Sequence, residues 1–142
     1  MNVAQETIVA GFFEAIANAD RETMLALMDP EAQWVVPRTA VAPYAGRHRG
    51  AAKIVDMMLQ ATTATFLPGT VRHRVLTQMS DASRVMAETE MVARQTGGCE
   101  YRNFYVFIFE FRDGRICEIR EHVDTAYAIQ FFGAGQQATE AP

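Results

Sequence analysis

The chain has 142 residues, 49% of them hydrophobic, with 17 acidic against 13 basic side chains and a formal net charge of -4. That hydrophobic content excludes a disordered chain, and the acidic balance with no long basic run argues against a nucleic-acid partner. The length suits one globular domain over 1–132, followed by a tail of small and polar residues over 133–142.

Near the N-terminus no basic segment precedes a sustained apolar run, and no stretch is long enough to span a bilayer. The expectation is a cytoplasmic protein with no membrane partner. Cys99 and Cys117 read as reduced thiols rather than a bridge, in keeping with that compartment.

Ile8, Val9, Phe12, Phe13 and Ile16 recur at helical spacing, which predicts an amphipathic helix over Ala4 to Asn18. Asp20 is a good N-cap for a shorter helix carrying Met24, Leu25, Leu27 and Met28, which Asp29-Pro30 stops. Gln33 to Val36 reads as a short strand holding the only tryptophan, Trp34. Pro37 to Gly50 reads as a loop whose Arg47-His48-Arg49 cluster is a candidate for steering an anion, or simply a solvated loop. A third helix is expected over Ala51 to Thr63, with Ile54, Met57, Met58 and Ala61 on one face.

From Thr70 the pattern changes to strands: Thr70 to Met79, Arg84 to Gln95, Glu100 to Arg112 and Arg115 to Val123. Asp124 is placed to cap a last short helix, Thr125 to Phe132. Helices followed by a long antiparallel meander make an α+β pattern: a curved sheet with helices over one face, enclosing an apolar cone.

Two glycine turns set the register of the last three strands. Asp113-Gly114 allows a two-residue primed turn or a type I turn with a left-handed Gly114 bulge; the bulged form segregates polar and apolar faces better. It sets Glu121 opposite Tyr105, and Cys117 opposite Phe109. A two-residue turn at Gly97-Gly98 then sets Glu90 opposite Tyr105, Glu88 opposite Phe107 and Val92 opposite Asn103. In this reading Glu90, Tyr105 and Glu121 form a row on the inward face, with Asn103 nearby. Carboxylates among Phe and Ile are costly unless paired, hydrated or used.

Three segments carry a family resemblance. They are Phe12 to Asp20, the Tyr44-Ala45-Gly46-Arg47-His48-Arg49-Gly50 segment, and Asp113-Gly114-Arg115-Ile116 followed by Arg120-Glu121-His122-Val123-Asp124. On them the chain resembles the nuclear-transport-factor-2-like (NTF2-like) superfamily, in particular its SnoaL-like and ketosteroid-isomerase-like members. The resemblance implies a cone of three N-terminal helices on a strongly curved, mainly antiparallel sheet, with a short C-terminal helix. It also implies pairing of two copies through the outer sheet face, where Phe104, Val106, Ile108, Ala87 and Met91 are expected.

The resemblance transfers unevenly to residues. Glu121 stands where SnoaL-type cyclases and limonene-epoxide-hydrolase-like enzymes carry a catalytic aspartate; phenazine-biosynthesis A/B proteins look to use a glutamate there. The ketosteroid isomerase tyrosine falls at Phe13, its general base near Val36, and the SnoaL-type histidine at Phe107, none of which can do that chemistry. Glu90 could stand for the epoxide hydrolase aspartate, but Glu88 takes the place of its arginine.

Glu121 is therefore the leading acid/base candidate: desolvation raises a carboxyl pKa and lets it accept and return a proton near neutrality. Glu90 is its candidate partner, with a rim ion pair as the competing reading. Tyr105 and Asn103 are candidates to polarise a carbonyl oxygen. Phe13, Trp34, Met58, Glu88, Phe107, Ile119 and Val123 complete the expected pocket. No metal or other cofactor is expected: His73 and His122 lack ligand spacing, and phosphate-loop, CxxC and GxSxG motifs are absent.

The reading that follows is a cofactor-free isomerase, cyclase or dehydratase acting on a small apolar carbonyl or polyketide-like compound. The alternatives are a non-catalytic ligand-binding or interaction module and an epoxide hydrolase, the last requiring an arginine between Glu90 and Glu121.

Overall fold

A computed structural model describes residues 1–132; the expected tail over 133–142 lies outside the described residues. Helix α1 spans Val3–Ala17 and α2 spans Arg21–Ala26. Both begin on side-chain caps: Asn2 accepts from the Gln5 N–H and Asp20 from the Thr23 N–H, each at 3.1 Å, which satisfies donors a helix start leaves open. Strand β1 (Met28–Val36), strand β2 (Gly46–Arg49) and helix α3 (Ala51–Thr65) follow. The long strands are β3 (Arg72–Ser80), β4 (Arg84–Arg94), β5 (Glu100–Arg112) and β6 (Arg115–Val123), before helix α4 (Thr125–Phe132). Asp124 caps α4, accepting from the Tyr127 N–H at 3.1 Å.

The six strands form one sheet in the order β2-β1-β6-β5-β4-β3. All neighbours are antiparallel except β1 and β6, which run parallel. Helices α1 and α3 lie over its inner face. Phe12, Met24, Met28, Ile54, Phe109, Ile116 and Ile119 are fully buried between the layers. The α+β class is as the residue pattern implies, and the layer of N-terminal helices on one mainly antiparallel sheet is as the resemblance implies.

The segment expected as a loop over 37–50 contains β2, which pairs Trp34 with His48 and Val35 with Arg47. Its basic cluster does not gather at a cavity mouth. Arg47 bonds Glu118 at 2.9 Å on the outer face, while His48 is buried against the Tyr44 carbonyl. Strand β1 also starts earlier than expected, at Met28, and absorbs Pro30 where its pairing to β6 is irregular. A proline is tolerated at such a place because no ladder hydrogen bond is required of it.

The two glycine turns exchange the forms expected of them. Asp113 and Gly114 both adopt positive φ, +53° and +76°, and Arg112 pairs directly with Arg115: this is the two-residue primed turn. The loop at Gly97-Gly98 is the bulged one. Gly98 (φ +88°) donates to the Gln95 carbonyl, and the Gln95 N–H to that of Cys99, both at 2.8 Å.

The second exchange moves β4 by one residue against β5. Thr89, not Glu90, faces Tyr105, and Ala87, not Glu88, faces Phe107. A one-residue slip turns every side chain over. Val85, Ala87, Thr89, Met91 and Ala93 are therefore the buried inward set, and Glu88 and Glu90 leave the cavity face. The expectations that Val92 points inward and that Ala87 and Met91 point outward are corrected with them.

In β6 a bulge at Cys117 restores parity, since Phe111 pairs with Ile116 but Glu110 with Glu118. Glu121 keeps its inward direction but sits opposite Phe107, with Val123 opposite Tyr105 and Ile119, rather than Cys117, opposite Phe109. Ile116 takes the buried place expected of Cys117. Substituting Gly114→Ala puts a Cβ on a left-handed residue, and urea unfolding is expected to show a loss of about 1 kcal/mol.

Candidate active site

The inward faces of β1, β5 and β6 meet α1, α3 and α4 around a cavity of ≈ 120 Å³. That is about the room one six-membered ring needs. Phe13, Trp34, Met58, Phe107, Ile119 and Val123 line it with Tyr105 and Glu121, and Thr125, Ile129 and Phe132 of α4 close one side. A broader, more open depression beside it, sharing Tyr44 and Phe132, has no carboxylate or histidine among the described residues that line it.

Glu121 reaches the cavity because β6 alternates. Ile119, Glu121 and Val123 point in, while Glu118 and Arg120 form an outward ion-pair group with Glu110. One hydrogen bond holds the Glu121 carboxyl: the Trp34 indole N–H donates to Oε1 at 3.1 Å. No Lys or Arg is among the described residues lining the cavity. Burial therefore dominates and pushes Glu121 up to about 7, the Trp34 bond opposing it. The group is deeply embedded yet not sealed, because its accessible edge opens on the void. Trp34 is itself fixed between Ile119 and His48 on the flanking strands, the His48 ring lying 5.4 Å from the indole.

Tyr105 supplies a second polar group. Its hydroxyl lies 2.6 Å from that of Tyr101, which in turn accepts from Asn103 Nδ2 at 3.1 Å. The buried Tyr101 proton finds one acceptor among the described residues, the Tyr105 oxygen. Either hydroxyl can donate to the other; with Tyr101 as donor, the Tyr105 proton is free for the cavity. Burial raises both phenols, Tyr101 to about 12 and Tyr105 well above its ordinary value, so both stay protonated. Asn103 does not meet the cavity. Its amide N–H groups reach Tyr101 and the Asp124 carbonyl, and its oxygen accepts from the Phe104 N–H, so it holds the tyrosine pair in place.

Glu90 is the clearest departure from expectation. It is buried on the outer face, bonded to Arg102 at 2.8 Å and Arg74 at 3.5 Å. Glu88 accepts from the Thr77 hydroxyl on the same face. Neither partners Glu121, and the epoxide hydrolase arrangement of Glu90, Glu121 and an intervening arginine is not formed. Among the described residues no cluster of three His, Cys, Asp or Glu could hold a metal ion.

Two cavity features escaped the residue pattern. Tyr101 lies outside the cavity lining, with its hydroxyl bonded to that of Tyr105. His73 on β3 lines the void, stacked on Phe13 at 4.9 Å, with Nδ1 unpartnered; burial lowers its pKa to about 4 and keeps it neutral. The available signal was the alternation of Val71 and His73 about Arg72, which puts both on one face of the strand.

Residues 9–119 match a family described as SnoaL-like domain. Among curated proteins none matches the chain. Solved structures share the fold at low identity. An NTF2-like protein from Burkholderia pseudomallei K96243 is 20% identical with a TM-score of 0.77, covering 94% of this chain and 100% of that one. TerC, co-crystallised with polyporic acid, is 18% identical with a TM-score of 0.79 over 92% and 99% of the two chains. A putative SnoaL-like polyketide cyclase from Jannaschia sp. CCS1 is 15% identical with a TM-score of 0.76 over 93% of each.

Proposed function

The chain belongs to the SnoaL-like domain family, and from that premise we propose that it is a cofactor-independent acid/base enzyme of the isomerase, cyclase or dehydratase type. Its substrate is a small, mainly apolar carbonyl or polyketide-like compound held in the cone cavity. The observation that carries this reading is Glu121: a carboxyl with no cationic partner, pushed up to about 7 beside an apolar void. Such a group is balanced between giving and taking a proton at ordinary pH.

In the reaction, the Glu121 carboxylate removes a proton from carbon next to the substrate carbonyl. The C–H electron pair moves into the new C=C bond, and the carbonyl electrons move onto oxygen, which the Tyr105 hydroxyl stabilises as a donor. Protonated Glu121 then returns its proton to the same carbon or to another, or to a leaving hydroxyl. Tyr101 and Asn103 keep the Tyr105 proton directed at the void.

The test needs no knowledge of the natural substrate. Wild-type protein in D2O should speed deuterium incorporation into 1-indanone or cyclohexanone, followed by NMR. The rate should rise with pH through about 7 as Glu121 ionises. A rate equal to buffer alone across a panel of such ketones would remove the catalytic reading.

The competing reading, a module that binds a small apolar ligand without turning it over, draws on Phe13, Val36 and Phe107. These inert side chains line the cavity where the resemblance places catalytic groups. Ligand binding without exchange is its signature.

We also propose that the outer face of β4 and β5 pairs two copies of the chain. Phe104 is 53% exposed there, with Val106 and Ile108 half-buried beside it. Introducing Phe104→Glu is expected to convert a dimer to monomer in analytical ultracentrifugation without lowering the melting temperature of the fold.

A further inference from the structure

His73 is a titratable group of the cavity wall that the proposed proton transfer does not use. Its ring lies parallel to Phe13 (4.9 Å between centroids, 26° between planes) and edge-on to Tyr105 at 6.0 Å and Phe107 at 5.9 Å. Phe107 is also the residue directly opposite Glu121 on the neighbouring strand. The Phe107 ring thus forms a floor, with the imidazole on its β3 side and the carboxyl on its β6 side. Around it are apolar walls with no cation among the described residues.

A buried ring nitrogen without a partner is destabilising, and Nδ1 has none among the described residues. Stacking on Phe13 alone is served equally well by a phenyl ring. An imidazole at this place makes physical sense when a guest supplies the missing hydrogen bond. A half-turn of the ring preserves the stack and exchanges Nδ1 with a carbon, so either edge can present the nitrogen to the void. Burial keeps the ring neutral, so it offers one donor and one acceptor rather than a charge.

We infer that His73 is a second polar anchor that determines specificity. It selects an uncharged planar ring carrying two oxygen substituents, one met by Tyr105 and Glu121 and the other by His73 across the Phe107 floor. The absence of a lining cation and the acidic group opposite turn away carboxylates and phosphates. This inference rests on the reading of the Glu121 cavity as a ligand site.

The test uses four simple probes: toluene, phenol, resorcinol and benzoate. The Trp34 indole N–H gives a single side-chain peak in a nitrogen-15 NMR spectrum, and it sits on Glu121. Wild type should bind resorcinol about three- to tenfold more tightly than phenol, the worth of one added hydrogen bond, and should not bind benzoate. In His73→Phe, which keeps the stack, that ratio should fall to about one while phenol binding is retained. In His73→Asn, which places an amide near the Nδ1 position, the preference should persist; melting curves verify that both variants fold. Equal binding of phenol and resorcinol by wild type, or an undiminished preference in His73→Phe, overturns the role of His73 and leaves the Glu121 cavity intact. If no probe shifts the Trp34 peak in wild type, the cavity reading fails and this inference with it.

Discussion

Replacing Glu121 with glutamine is expected to lower protein-catalysed deuterium exchange of 1-indanone by about 10²- to 10⁴-fold, the usual worth of a positioned general base. Glutamine preserves the shape of the side chain and its acceptor oxygen for the Trp34 indole, so the cavity stays intact and binding of neutral probes should be nearly unchanged. The split separates proton transfer from recognition. Loss of exchange with retained binding identifies the carboxyl as the base, whereas exchange that survives the substitution removes Glu121 from the mechanism. Tyr105→Phe removes the donor to the developing oxygen charge and, with it, the hydroxyl bonded to Tyr101.

The same substitution is expected to stabilise the protein in mild alkali. The Glu121 carboxyl titrates near its ordinary value of 4.5 when unfolded and at about 7 when folded. Below the lower value both states are protonated and the folded state carries no penalty. Between the two, the native state holds a proton that the unfolded state has released. Stability therefore falls as pH rises, by roughly 3 kcal/mol in all once pH exceeds the folded value. His73 works in the opposite direction, its contribution fading as pH falls from its ordinary value of 6.5 toward about 4. The difference between wild type and Glu121→Gln isolates the carboxyl. Urea midpoints should show Glu121→Gln gaining on wild type by about 1–3 kcal/mol between pH 5 and pH 8. A constant difference across that range would mean the carboxyl is not desolvated.

The residue pattern was a good guide to elements and an uneven one to registers. Helical spacing in α1 and α3, the Asp20 and Asp124 caps and the boundaries of β4 to β6 were readable because each depends on neighbours in sequence. The inward direction of Glu121 was readable for the same reason, since alternation with Ile119 and Val123 survives any two-residue shift. Glu90 was misplaced because both glycines at 97–98 allow a two- or a three-residue loop. The two-residue form turns Glu88 and Glu90 inward. The pattern of β4 opposes it: Val85, Ala87, Met91 and Ala93 alternate with Met86, Glu88 and Glu90, and burying the first set costs far less. β2 was hidden because four residues among prolines and glycines form a strand only when Gln33 to Val36 offers them an edge. The bond between the Tyr101 and Tyr105 hydroxyls depends on how the two rings pack, which neighbours in sequence do not reveal.

The extra residue at Cys117 has an implication for how this site could arise or vanish. Between the turn at Gly114 and the cavity, that single insertion is what aims Glu121 at the void and Arg120 and His122 away from it. Flattening the bulge with Cys117 kept would exchange the two sides of the strand from Glu118 onward, whereas deleting Cys117 would leave Ile116 opposite Phe111 and Glu118 opposite Glu110, with Glu121 still facing the chamber. A lineage could thus lose that one codon and keep its acidic interior, while a shift that straightened the bulge would turn the chamber basic.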